Sequence, residues 1–516
     1  MIIKLKQMDQ NKLNKIHKRI FIILSVAFLT IIIAVSFIHA MQQPYNHDEN
    51  VYITGGKLLA DQKLLPYLDY RHSHMPNIIF INALVFRITD YLLLGARTVN
   101  VLAFSLIIIM IYFITLKYFK QFNYWVKLLV FLAAVNLLIG NPIIQFTTGK
   151  AWTYDTPLML SILAFLTHLI GTKSLKPNKW FFINGLLIGL ATGTRLSYLF
   201  LIFPFVIGFF LLPEQKIMFK FKFITIFFCG FVIAMLPSII LFLAAPEKFF
   251  YDIYTFHTKI DSLYLISQGC YLNLPEMFET LFFYSKNPNN IALVIGIIFL
   301  LAIKIFYTLK QKASVYPITL ILIILLFLII SSLIKNVYLK QYLFNLVPFI
   351  IIGFLLGISV LKDNYKRIAI FLFLILSFSF SNKRIYNEIE NVFSPEKWQT
   401  YQMHIFGGKI TDITADNYVL TLSPLFVLEG GGKIYKEFAN NPFIWRTSHF
   451  VPEKIRNEFN IISPEELNSF LSRKPAYGIL IGFEGGFDEI YLKYALDNNY
   501  VEEKIPKGHL FIIQQK

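Results

Sequence analysis

Apolar stretches about 20 residues long recur through the first three quarters of the 516-residue chain, and no other feature restricts its fold as much. A helix of that length crosses a hydrocarbon layer of about 30 Å. Composition agrees, because 15% of the residues are charged and 56% hydrophobic, against roughly 25% charged in soluble globular proteins. With 53 Phe and a mean hydropathy of +0.58, a soluble enzyme, a disordered chain and a fibrous chain are all excluded. Most of the chain belongs in a bilayer.

The net charge of +17 has to be located before it is interpreted. Residues 1–381 carry 33 Lys and Arg against 14 Asp and Glu, whereas residues 382–516 carry 15 against 17. The excess therefore belongs to the apolar portion. It sits there in short clusters between the stretches, as in the cytoplasmic loops of membrane proteins. No aromatic-basic module accompanies it, so nucleic acid is not an expected partner. Cys229, within an apolar stretch, and Cys270, in a loop, do not make a disulfide framework.

Lys4, Lys6, Lys12, Lys15, Lys18 and Arg19 precede an apolar stretch from Ile20 to about Ala40. This exceeds the roughly 7–15 residues of a signal-peptide core, so an uncleaved first span with a cytoplasmic amino end is expected. Clusters at Lys117/Lys120/Lys127, Lys173/Lys176/Lys179, Lys216/Lys220/Lys222, Lys310/Lys312 and Lys362/Lys366/Arg367 mark further cytoplasmic segments. The outward connections are then a first loop over about 42–97, residues 141–155, the turn near Arg195, a long loop over about 245–290, and the stretch Lys335 to Tyr342. Segment 77–94 is interrupted by Arg87, Thr89 and Asp90, and a mid-bilayer charge costs at least about 2.5 kcal/mol. It is expected to lie on the outer leaflet or dip into it, which leaves about eleven spans ending near Phe380. An odd number puts the remainder outside the cytoplasm. Residues 382–516 have near-soluble charge and turn clusters at Glu429 to Gly432 and Glu484 to Gly486. Strand-like runs (Tyr418–Leu422, Gly478–Ile481, His509–Ile513) alternate with helical ones (Pro464–Leu471, Asp488–Asn498). The expected architecture is an α-helical polytopic membrane domain (1–381) followed by a small extracytoplasmic α/β domain (382–516).

With only 14 acids in the membrane portion, each position carries information. Asp48 and Glu49 follow the first span in Pro44-Tyr-Asn-His-Asp-Glu-Asn-Val-Tyr52, and Asp155 heads another span in Gly149-Lys-Ala-Trp-Thr-Tyr-Asp-Thr-Pro157. The topology puts both on the outer face, where a base and its helper could act on a lipid-borne substrate. The structural alternative is that Asp48 caps a helix beginning at Glu49. Tyr52, Gly55, Gly56 and Leu59, with Lys57 and Asp61 elsewhere, describe an amphipathic helix suited to the membrane surface. The polar, aromatic stretch Leu65 to Pro76 follows, with Arg71 and His74 as candidate substrate-binding residues or as ordinary interface anchors. His47, His72 and His74 with Asp48 are candidate ligands for a divalent metal, although His-x-His in a loop is usually not a metal site. Arg195 interrupts a long apolar stretch and either snorkels to the interface or holds a phosphate, whose geometry a guanidinium matches. Lys335 and Lys340 beside Tyr342, and His257 in an aromatic-rich segment, are further outward candidates for substrate binding.

These features together resemble the GT-C glycosyltransferases: an acidic pair after the first span, an amphipathic outer helix, an Asp at a second outward loop, Gly189-x-Ala-x-Gly-x-Arg195, and a late Tyr/Lys turn. The branch most similar holds the protein O-mannosyltransferases and the lipid A aminoarabinose transferases, and the similarity covers about residues 15–380. It implies inverting transfer of a sugar from a polyprenyl-phosphate carrier, without a covalent enzyme intermediate, to a glycan, lipid or protein acceptor at the outer face. It implies roles too: Asp48 as base toward the acceptor hydroxyl, Glu49 as the adjoining acid, Asp155 as the acid that orients acceptor or metal. Arg195 with Lys335 or Lys340 would stabilise the phosphate leaving group. The Lys-Pro-Pro frequent in the aminoarabinose branch stands here as His74-Met-Pro76. A composition rich in Lys, Ile, Phe and Asn suggests a bacterial source and the inner (plasma) membrane. Two rivals remain: a transporter or flippase, which normally shows paired repeats and mid-membrane charges not evident here, and a surface-polysaccharide polymerase or ligase working from the long outer loop.

Overall fold

The computed structural model describes residues 2–212, 215–270, 272–285, 288–309, 315–334, 340–379 and 391–514, with backbone alone for 2–14, 281–285, 288–289, 308–309 and 340. Among the described residues, six helices are long and apolar enough to cross a membrane: Lys15–Gln42, Leu92–Tyr118, Ile217–Ala244, Asn290–Tyr307, Tyr316–Leu333 and Gln341–Val360. Three shorter apolar helices, Tyr124–Ile139, Asp155–Gly171 and Leu196–Phe210, pack among them. The chain is thus a multi-pass membrane protein.

The first segment between spans departs from the sequence reading in an informative way. Helix α1 (Ile2–Gln42) stops short of Pro44, which has no N–H to continue it. Helix α2 (Asp48–Gln62) begins one residue earlier than expected. Its cap is Asn46, not Asp48: Asn46 Oδ1 accepts the Asp48 N–H at 2.9 Å, and Glu49 Oε2 accepts the Asn46 N–H at 3.0 Å. This reciprocal pair has the capping-box spacing, which leaves the Asp48 side chain out of the cap. Nor does α2 lie on a surface, since every residue from Glu49 to Leu58 except Lys57 is buried. Gly55 and Gly56 let helix α3 (Asn77–Val85) press directly on it; a Cβ on Gly56 would meet Asn82 at 2.6 Å. Helix α3 has nine residues, about 14 Å at 1.5 Å per residue, too short to span. Helix α4 (Leu92–Tyr118) then runs through the bundle. The loop expected over 245–290 is largely helical among its described residues, as Pro246–Phe250, Tyr251–Ile260, Asp261–Ser267 and Leu274–Ser285.

The carboxy-terminal region holds a five-stranded sheet in the order β2-β1-β3-β5-β4, built from β1 (Tyr418–Thr421), β2 (Lys433–Ile434), β3 (Gly478–Ile481), β4 (Tyr500–Glu503) and β5 (His509–Ile513). Strand β1 runs parallel to β2 and β3, and β5 antiparallel to β3 and β4. One apolar core crosses from this region into the first loop, uniting Ile53, Phe86, Leu92 and Leu93 with Phe406, Phe426 and Leu480. Polar pins reinforce it: Asn50 Oδ1 accepts the Leu425 N–H at 3.0 Å, and buried Glu429 accepts the Leu93 N–H at 3.0 Å. The sheet therefore sits at the Asp48 end of the bundle.

Candidate active site

The site is organised by an ion pair that the sequence does not advertise. Arg97, on the second turn of α4, and Glu49, on the first turn of α2, are both fully buried. Arg97 Nε and Nη2 donate to the two Glu49 oxygens at 2.9 and 2.8 Å. Its other N–H groups reach the carbonyls of Ala40, Gln43 and Pro44 at 2.7, 2.8 and 3.3 Å. All five guanidinium donors are thereby used. Glu49 also accepts the N–H groups of Ala151 at 2.8 Å and Asn46 at 3.0 Å. One pair thus fixes the end of α1, the start of α2, the 150s loop and α4 relative to each other.

Asp48 is turned the other way. Its side chain is 35% exposed and sits 3.2 Å from His47 Nε2. The hydrogen bond that His47 donates to the Asp48 carboxylate holds the His47 pKa above its ordinary value, against the opposing effect of burial. Tyr52 and Tyr342 each lie within electrostatic reach of both Asp48 and Arg195. The Arg195 guanidinium stacks 3.9 Å from the Tyr154 ring centroid and 5.8 Å from that of Tyr342, and its Nε donates to Ser197 at 3.3 Å. Asp48, Arg195 and Tyr342 are therefore brought together.

Asp155 is 99% buried at the head of its helix, where Oδ2 accepts the Gly149 N–H at 2.8 Å. Gly149 has φ +78°, and a Cβ there would fall 2.4 Å from Ala40, so glycine is required. This turn presents Lys150, with Nζ 3.9 Å from the Phe146 ring centroid and 4.6 Å from that of Trp152, and Thr153, whose hydroxyl lies 3.4 Å from the Tyr52 hydroxyl.

A wall of histidines closes one side. His74 packs on Tyr52 and His257 with ring centroids 5.1 and 5.3 Å apart, and His257 Nε2 meets the Ser73 carbonyl. His72 is wholly buried between Tyr52 and Tyr67, and neither ring nitrogen has a hydrogen-bond partner among the described residues. Burial pushes its pKa down to about 3, so the ring is neutral. Arg71 is buried against Asp252, with Nε to Oδ1 at 2.7 Å, and stacks on Tyr251 and Phe459. It ties the first loop to the helix Tyr251–Ile260. The metal set His47, His72, His74 and Asp48 is not assembled, since His47 turns to Asp48 and Phe443 while His72 and His74 turn to Tyr52. Among the described residues no group of three or more His, Cys, Asp or Glu could hold a metal ion. Lys335, and the side chain of Lys340 in the short helix Lys340–Leu343, lie outside the described residues. Sequence reasoning missed Arg97 and Lys150. Arg97 carried a signal, being a charge inside the apolar helix α4, where an ionisable residue needs a partner.

No family model and no curated protein matches the sequence. Solved structures do. ArnT from Cupriavidus metallidurans bound to undecaprenyl phosphate superposes with a TM-score of 0.60 at 12% identity, over 95% of this chain and 97% of that one. Its apo state gives 0.59 over the same shares. The chain has the GT-C fold. A second GT-C structure, the Archaeoglobus fulgidus oligosaccharyltransferase in complex with Zn and sulfate, gives 0.50 at 12% identity over 94% of this chain and 72% of that one. At such identity the shared property is the fold, and a GT-C fold alone does not specify a substrate.

Proposed function

We propose that this chain is a membrane glycosyltransferase that moves a sugar from a polyprenyl-phosphate carrier to an acceptor hydroxyl, with Asp48 as base. The observation that carries the reading is the meeting of a half-exposed carboxylate, Asp48, with a stacked guanidinium, Arg195, across Tyr52 and Tyr342. The fold of ArnT, solved with undecaprenyl phosphate bound, supports the donor class. In the transfer, the acceptor oxygen attacks the anomeric carbon while Asp48 takes its proton. The bond from that carbon to the phosphate oxygen breaks, and polyprenyl phosphate leaves with the electron pair. One displacement inverts the anomeric centre. Negative charge grows on the departing phosphate, so Arg195 and Lys150 contribute more in the transition state than before it. Tyr342, His74 and His257 complete the donor side. Glu49 serves as scaffold in this reading, because its lone pairs are already committed to Arg97 and two backbone N–H groups. Asp155 shapes the Gly149–Tyr154 turn.

Arg195→Ala is expected to lower transfer from an undecaprenyl-phosphate sugar in proteoliposomes by on the order of 100-fold, the usual loss when one transition-state donor is removed. Arg195→Lys should recover part of it. Unaltered turnover in Arg195→Ala would remove Arg195 from the phosphate.

We also propose eleven passes within residues 1–381, in a bacterial inner membrane, with residues 382–516 and Asp48 on the outer side. The basic clusters between helices support this arrangement. Single cysteines at Lys120 and Lys436, in a chain with Cys229 and Cys270 replaced by Ser, are expected to be protected from and labelled by an impermeant maleimide, respectively. The reverse pattern would invert the topology.

A further inference from the structure

The mouth above Asp48 is lined by the carboxy-terminal region and the helix Asp261–Ser267. Phe443 packs on the His47 ring at 5.8 Å. One turn later Arg446 lies over Phe443 at 4.5 Å and over Tyr264 at 4.8 Å, with Nη2 3.5 Å from Asp261 Oδ1. Its Nε is buried and has no hydrogen-bond partner among the described residues. Glu484 approaches from the turn after β3. Asp488 Oδ2 fixes that turn by accepting the N–H groups of Gly482, Phe483 and Glu484 at 2.8, 3.0 and 3.0 Å. The Ser423 hydroxyl donates to Glu484 at 2.7 Å, and Glu484 is within electrostatic reach of both His47 and Arg446. Asp48 and Asp261 both reach Tyr342.

Asp48, Asp261 and Glu484 thus face one guanidinium, Arg446, and one imidazole, His47, while Asp488 is committed to the turn behind them. A phosphate or uronate entering here meets a surplus of like charge, which disfavours it. A neutral polyol meets carboxylate acceptors, a guanidinium donor still lacking a partner, and the faces of Phe443 and Tyr264, the mixture of apolar walls and few polar groups typical of small-molecule sites. We infer that this mouth is the acceptor subsite and that it takes an uncharged saccharide, held by Arg446 and Glu484, and turns away phosphorylated or uronate-bearing glycans. The inference rests on the transferase reading of Asp48 and names the acceptor class that the reading leaves open.

The test uses the full chain in nanodiscs on an array of neutral, phosphorylated and uronate-bearing oligosaccharides, with undecaprenyl phosphate binding measured in parallel. Neutral glycans should be retained at least tenfold better than anionic ones. Glu484→Gln and Arg446→Ala should each weaken that retention at least tenfold, and Glu484→Lys should shift preference toward phosphorylated glycans. Thermal unfolding matched to the parent keeps the variants interpretable, and Arg446→Lys serves as a milder substitution where Arg446→Ala unfolds. Equal or better retention of anionic glycans overturns the inference, as does retention unaffected by the Glu484 and Arg446 variants. Loss of all glycan retention with undecaprenyl phosphate still bound overturns it while sparing the transferase reading. Neutral-glycan retention without undecaprenyl phosphate binding keeps the subsite and sinks the transferase reading instead.

Discussion

Asp48→Asn is expected to lower sugar transfer by about 100- to 10,000-fold, the range general-base catalysis contributes, while undecaprenyl phosphate binding and thermal unfolding stay as in the parent. The fold should tolerate the change because Asn46, not Asp48, caps α2, and because the ion pair of the Asp48 carboxylate among the described residues is with His47 at the partly exposed end of the site. The neighbouring imidazole gives the same prediction a pH signature. Asp48 raises the His47 pKa above 6.5, so the imidazolium form persists to higher pH and competes for the carboxylate that must accept the acceptor's proton. As pH rises through the raised value, His47 loses its charge and with it its hold on the Asp48 carboxylate. Transfer should therefore show a rising limb above about pH 6.5, and His47→Asn should flatten it. Transfer rates across pH for the parent, His47→Asn and Asp48→Asn decide the matter. An Asp48→Asn enzyme within threefold of the parent would remove Asp48 as base.

The second large effect falls on stability rather than chemistry. Arg97→Ala leaves Glu49 as a buried carboxylate without its counterion, which destabilises by about 3–5 kcal/mol in comparable buried pairs. It also strips the carbonyls of Ala40, Gln43 and Pro44 of their donor. The expected result is a sharp loss of folded, monodisperse protein, seen by size exclusion and thermal unfolding in detergent. Combining Arg97→Met with Glu49→Leu should recover part of the loss by removing the stranded charge. Recovery stays incomplete, because the Ala151 and Asn46 N–H groups lose an acceptor at the same time. A single Arg97→Ala variant as stable as the parent would show that the pair is not what assembles the site.

The contrast between Asp48 and Glu49 shows where sequence reasoning stops. Hydropathy disclosed long apolar helices, and the scarcity of acids drew attention to the turn that holds Asp48 and Glu49. Adjacent carboxylates nonetheless look alike until their partners are known, and the partner of Glu49 lies 48 positions away. The Asn46-x-x-Glu49 cap was readable from spacing alone and went unused. Arg71 meets the same limit: the partner that buries it, Asp252, lies 181 positions later and gives no local sign of pairing. Helix α2 looked amphipathic on its own, since the side chains that cover its second face come from α3 and from beyond residue 400. The strands Gly478–Ile481 and His509–Ile513 agree with their apolar runs, whereas β2 and β4 were missed: β2 has two residues, and β4 is half charged.

The apolar core joining Ile53, Leu92 and Leu93 to Phe426 and Leu480 also has a bearing on biosynthesis. A ribosome releases the first loop into its membrane environment more than 300 residues before the side chains that finish its packing. Until then α2 has only part of its cover, and contacts that close such long spans form late. A later-made piece of the chain thus completes an early-made turn of the site, so the nascent protein stays unassembled around Asp48 until residues well beyond 400 have been made.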